Sequence, residues 1–116
     1  MRQAGILAAG ALYALRHHRD RLAEDHANAK RFAAIVIEAP GARVDLGGVE
    51  TNMVTVDLDE PLHAEEVTRA ARALGLALNA RGARSMRAVM HLDVSREDVE
   101  RGARLLVEAI RSARPR

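Results

Sequence analysis

A chain of 116 residues is one domain or part of one, and is too short for a doubly wound nucleotide-binding fold or an α/β barrel. The absence of cysteine excludes a disulfide framework, a thiolate nucleophile and a cysteine-based zinc site; the two aromatic residues, Tyr13 and Phe32, are too few for a base-stacking surface. Basic groups number 6 against 4 acidic in residues 1–40, 3 against 7 in 41–80 and 9 against 5 in 81–116, so the surface is mixed and no nucleic-acid partner is expected. Of the 18 basic residues only Lys30 is a lysine.

Ala4 to Leu15 carries no polar side chain except the Tyr13 hydroxyl, so as a helix it is apolar on every face. At 1.5 Å per residue this run spans about 18 Å, short of the ~30 Å hydrocarbon core, and no membrane-spanning role follows. Two readings fit the pattern: a helix made for burial, or the apolar stretch of a secretory signal behind Met1, Arg2 and Gln3.

Residues 20–38 predict an amphipathic helix with Asp20 as N-cap. Leu22, His26, Ala29, Ala33 and Val36 share its inner face, while Arg21, Glu24, Asp25, Asn28 and Arg31 face elsewhere. Pro40 and Gly41 stop it. The period then changes to two. Ala42–Asp45 is a short strand, Gly47-Gly48 a turn, and Thr51–Leu58 a strand with Asn52, Val54, Val56 and Leu58 on one face.

Pro61 introduces a helix over 62–73 with Val67, Ala70, Ala71 and Leu74 toward a core, and Gly75 ends it. Leu76–Ala80 is a strand broken by Gly82. Ser85–Leu92 is another, with Met86, Ala88, Met90 and Leu92 on one face and Arg87 on the other. Ser95 caps a last helix with Asp98 at the third position, and Val99, Ala103, Leu106 and Ile110 line its inner face to about residue 111. The order α, α, β, β, α, β, β, α describes an α+β fold, a small antiparallel sheet with helices on one face. Residues 1–18 form the apolar helix, 19–40 a linking helix and 41–116 the small domain.

Four strings, MRQAGILAAGALYAL, RLAEDHANAKRFA, ETNMV and MRAVMHLDVS, together resemble the C-terminal third of low-specificity L-threonine aldolases. These belong to the aromatic amino acid β-eliminating lyase and threonine aldolase group, pyridoxal-phosphate enzymes of the aspartate-aminotransferase-like fold type I. The resemblance implies interdomain helices followed by the small C-terminal domain. It places MRQAG inside a longer protein, so that the apolar helix belongs to a large domain or subunit interface and the secretory reading is set aside. It further implies retro-aldol cleavage of L-threonine or L-allo-threonine to glycine and acetaldehyde, a cytoplasmic location and a homo-oligomer, with no membrane partner.

The residues that bind pyridoxal phosphate in that family, including the imine-forming lysine, precede the matched strings, and Lys30 does not stand at the lysine's position. Such a chain is expected to be inactive alone. In the R-x-V-x-H-L-D motif, Arg87 corresponds to the arginine that binds the substrate α-carboxylate. Arg2 corresponds to an arginine near the cofactor. His91 is read as a sheet-bonded structural residue, Asp93 as a brace for the turn, and Asn52 and Asn79 as backbone-bonding residues. His17 and His18 read as a solvated helix end, with no metal-site spacing. Two other readings stay open: an association module completing a separately encoded partner, and a small exported binding protein.

Overall fold

The computed structural model describes residues 3–113. Helix α1 (Ala4–His17) leads through a 3-10 turn (Arg19–Arg21) into α2 (Leu22–Val36). Then follow β1 (Ala42–Arg43), β2 (Met53–Leu58), α3 (Ala64–Ala73), β3 (Asn79–Gly82), β4 (Ser85–Val89) and α4 (Arg96–Ala113). The four strands form one antiparallel sheet in the order β1-β2-β4-β3. The expected fold class and element order are both present.

Strand alternation decides which face is covered. Val54, Val56 and Leu58 of β2 and Met86 and Ala88 of β4 are buried beneath the helices. Met53, Thr55 and Val89 are exposed on the opposite face. The helices contribute Ala29, Phe32, Ala33 and Val36 from α2, Val67 and Ala71 from α3, and Val99, Ala103, Leu106 and Ile110 from α4. Ser95 and Asp98 form the expected capping box: the Asp98 N–H donates to Ser95 Oγ at 3.1 Å and the Ser95 N–H to Asp98 Oδ2 at 3.3 Å.

Several local expectations change. Asp20 lies in the 3-10 turn; α2 starts at Leu22, preceded by Arg21, without a side-chain cap. The inner face of α2 is rotated from the one the pattern suggested, because Phe32 anchors it: Asp25 is only 7% exposed, whereas Leu22 is 52% exposed. Helix α3 begins at Ala64, since Leu62 is used as a buried plug ahead of it. β1 stops at Arg43, because the 3-10 turn at Leu46–Gly48 takes the chain away.

β3 begins at Asn79 and includes Gly82, because Leu76 and Leu78 leave the sheet to pack against the core. β4 ends at Val89; Met90 remains in the core beyond it, while Leu92 is exposed.

Gly75 ends α3 as expected, with φ +98°. Its N–H donates to Arg72 O at 3.0 Å, and the following Leu76 N–H reaches back to Ala71 O at 2.9 Å, the paired bonds of a Schellman end. Gly41 ends the loop after α2 under a stricter constraint. Its φ is +92°, and a Cβ there would meet Leu62 Cδ1 at 2.7 Å.

Glu100 ties α4 to α2. Its carboxylate accepts from Arg31 Nε at 3.1 Å and Arg96 Nε at 3.3 Å, with Arg104 Nη2 at 3.9 Å. The hydrogen bonds from Arg31, and then Arg96, hold the Glu100 carboxyl below its usual range.

Helix α1 stands apart from this core. None of its residues is buried, and Ile6, Leu7 and Leu15 are 72%, 57% and 62% exposed. Among the described residues, no helix is long and apolar enough to cross a membrane.

Two consequences for stability follow. Gly41→Ala is expected to cost about 1–3 kcal/mol in urea denaturation, from left-handed strain and the Leu62 contact, whereas Gly82→Ala, with open space around it, costs far less. A carboxylate with a depressed folded pKa stabilises the fold above its unfolded pKa and loses that contribution as pH falls through the folded value. Glu100→Gln therefore flattens the stability–pH curve across the acid range, and chemical denaturation over a pH series reads the change.

Candidate carboxylate site

The middle of the sheet places Arg87 between two neighbours. Thr55 on β2 and Asn79 on β3 are its register partners. Outside the ladder the chain is pinned from both ends of β2: the Leu58 N–H donates to Arg84 O at 2.9 Å and the Met90 N–H to Asn52 O at 2.8 Å. The Asn52 side-chain amide adds a second bond, donating to Met90 O at 2.7 Å. Asn52 thus extends β2–β4 pairing past the end of β4 and has the backbone-bonding role read from its type.

β3 peels away from β4 beyond the Asn79–Arg87 pair. The gap is a cleft of about 310 Å³. Its polar lining includes Asn79, Arg87 and His91, and its apolar wall is Phe32, Leu78, Met90 and Val99. A few convergent polar groups over an apolar wall is the usual composition of a small-molecule site.

Arg87 differs from every other described arginine. It alone is half-buried; the rest are exposed. Arg21, Arg31, Arg43, Arg84, Arg96 and Arg104 each have a carboxylate partner. Among the described residues, no carboxylate lies within ion-pair distance of Arg87. A partly desolvated guanidinium with no internal counter-charge, opening on a cleft, offers a planar fork to an incoming carboxylate.

His91 lies past the end of β4, not in the sheet, and is exposed. Its Nδ1 accepts the Asp93 N–H at 3.3 Å, with the Asp93 carboxylate at 4.0 Å. That bond assigns the neutral ring's proton to Nε2. Asp93 contributes to the turn through its backbone as well as its carboxylate. Asn79, read as backbone-bonding, makes no side-chain hydrogen bond among the described residues and lines the cleft instead.

The other sequence candidates are elsewhere. Arg2 lies outside the described residues. Lys30 is exposed on α2 and does not line the cleft. His17 and His18 are not simply solvated: Tyr13 stacks near both, at ring separations of 4.3 and 5.6 Å, and the His18 Nδ1 is buried without a partner among the described residues. Among the described residues no cluster of metal-ligating side chains occurs.

The placing of Asn79 is hidden from sequence reading by one inserted residue. Gly82 pairs with Ser85, which in an unbroken ladder would set Ala80 opposite Arg87. The register slips between Ala80 and Gly82, and Asn79 takes that place. Asp98, read only as a cap, also lines the cleft.

Fold and site together define the small α+β domain of a fold-type-I pyridoxal-phosphate enzyme. A solved relative of this shape is the alpha-aminoadipate aminotransferase LysN from Thermus thermophilus, complexed with N-(5'-phosphopyridoxyl)-L-leucine. It superposes at TM-score 0.65 and 20% identity over 94% of this chain and 29% of its own. The beta-eliminating lyase family model matches residues 1–61, and the chain belongs to that family.

Low-specificity L-threonine aldolase 1 of Arabidopsis thaliana is 35% identical over 101 residues, 85% of this chain and 28% of its own length. The low specificity L-threonine aldolase of Escherichia coli (strain K12) is 42% identical over 99 residues, with the same coverages. The chain therefore spans under a third of the length of these relatives.

Pyridoxal phosphate must be tested against the residues present. An imine-forming lysine needs a dry pocket that lowers its pKa. Lys30 is exposed, and the cleft holds no amine side chain. The described residues do not make a site for the cofactor.

Proposed function

We propose that this chain supplies the substrate-carboxylate-binding domain of a threonine-aldolase-type lyase. The reaction of such an enzyme is retro-aldol cleavage of L-threonine or L-allo-threonine to glycine and acetaldehyde, with pyridoxal phosphate held by other parts of the protein. One observation carries the reading: Arg87, the half-buried arginine without a carboxylate partner, opens on the cleft. The aldolase relatives at 35% and 42% identity support the substrate class.

In this role the domain binds and orients. Two parallel hydrogen bonds from the Arg87 guanidinium fix the carboxylate end of the amino acid, so its remaining bonds are presented in one orientation. The catalytic amine lies outside this chain's own residues, and the chain alone is inactive.

Residues 1–18 fit the same reading as a helix that packs against the large domain or a subunit interface of a cytoplasmic homo-oligomer. Arg2 is assigned to the cofactor region on resemblance alone. The exposure of Ile6, Leu7, Tyr13 and Leu15 also favours a second reading, a non-catalytic association module for a separately encoded partner.

Calorimetric titration of L-threonine into the purified chain separates the two. The carboxylate reading predicts heat of binding with the wild type, a loss of about tenfold or more in affinity for Arg87→Ala and a smaller loss for Arg87→Lys. Added pyridoxal phosphate gives no more bound-cofactor absorbance than with free lysine. Equal binding by wild type and Arg87→Ala, or no binding by either, overturns the carboxylate reading and leaves the association module.

A further inference from the structure

Arg87 does not stand alone in the cleft. Along an antiparallel strand, successive residues turn their N–H and C=O groups to opposite neighbours. Met90 bonds to β2 through Asn52 and Arg84 bonds to β2 through Leu58, so Arg87 and Val89 turn theirs toward β3. Arg87 finds Asn79 there. The next residue in line, Ala77, would pair with Val89, but the chain has already left the sheet to bury Leu76 and Leu78. Among the described residues, the Val89 N–H and C=O have no partner, and Val89 and Ala77 stand on the two sides of the cleft.

Asn79 supplies a second free donor. Its side chain lines the same cleft, beside Arg87 across the ladder, with no hydrogen bond of its own among the described residues. A carboxylate has about four lone-pair directions, of which a guanidinium fork takes two. An amide NH₂ and a backbone N–H beside the fork match the remaining demand.

We infer that the Asn79 side-chain amide and the Val89 backbone N–H, together with Arg87, form a three-part cradle for an α-amino acid carboxylate at the point where β3 and β4 separate. The interrupted ladder leaves one backbone donor for the ligand, and the one-residue slip in β3 brings the Asn79 amide beside the guanidinium. This inference rests on the carboxylate reading of Arg87 and names two more residues for the same site.

Nuclear magnetic resonance titration of the isotopically labelled chain with L-threonine observes each donor directly. The Asn79 NH₂, the Val89 N–H and the Arg87 Nε–H signals are expected to shift along one saturation curve, and L-threonine amide, which lacks the carboxylate, is expected to leave them unmoved. Asn79→Ala weakens binding about tenfold, the scale of a lost hydrogen bond to a charged group. Thr55→Val, on the other flank of Arg87 and outside the cleft lining, leaves affinity unchanged.

If the Arg87 signal shifts while those of Asn79 and Val89 stay still, the cradle is wrong and the Arg87 reading survives. If Arg87→Ala binds L-threonine as the wild type does, the parent reading falls with it. A fold-wide change in the Asn79→Ala spectrum transfers the decision to the wild-type titration, which needs no variant.

Discussion

The pairing of β2 with β4 is the constraint on which the rest of this domain depends. It runs through five register pairs, from Met53–Val89 to Asp57–Ser85. It is closed at one end by the Leu58–Arg84 bond and at the other by the two bonds between Asn52 and Met90. With that register, Val54, Val56, Leu58, Met86 and Ala88 are driven beneath the helices, and Arg87 is forced out on the other side of the strand. A one-residue slip would exchange the two sets. It would expose the core and bury an unpaired guanidinium, and because both costs act in the same direction they specify the register strongly.

The same sheet shows where the domain is finished and where it is not. Its inner face is sealed by α2, α3 and α4, and the Glu100 arginine cluster fastens α4 to α2 at the surface. Its outer face carries Met53, Thr55 and Val89 in solvent. Helix α1 has apolar residues on all sides and buries none of them. A helix of this composition gains stability through tertiary cover, not through intrinsic propensity. The open α1 and the open cleft are both features that a covering partner or ligand would complete, and the membership of a family whose relatives are more than three times longer is consistent with that.

Much of the fold was legible because the chain obeys local rules consistently. The alternation in 53–58, the capping box of Ser95 and Asp98 and the terminal Gly75 each specify their element without tertiary help. What was not legible arose where packing overrode pattern. Phe32 rotated α2 so that Asp25 turned inward, and Leu76 and Leu78 were claimed by the core instead of by β3. Arg87 could be singled out from its motif and its place opposite the Met86 stripe. Its neighbour Asn79 could not, because an inserted residue in a short ladder has no signature in period-two alternation. The unpaired Val89 N–H was still further from reach, since it follows from the departure of β3.

The central claim is that the Arg87 guanidinium in this cleft receives the carboxylate of an amino acid. A crystal structure of the chain grown with L-threonine tests it most directly. The account predicts the ligand carboxylate bidentate on Arg87, at charge-assisted distances of about 2.7–2.9 Å, beside Asn79 and Val89. Ligand bound elsewhere, or an Arg87 side chain turned out of an empty cleft at saturating L-threonine, would contradict it.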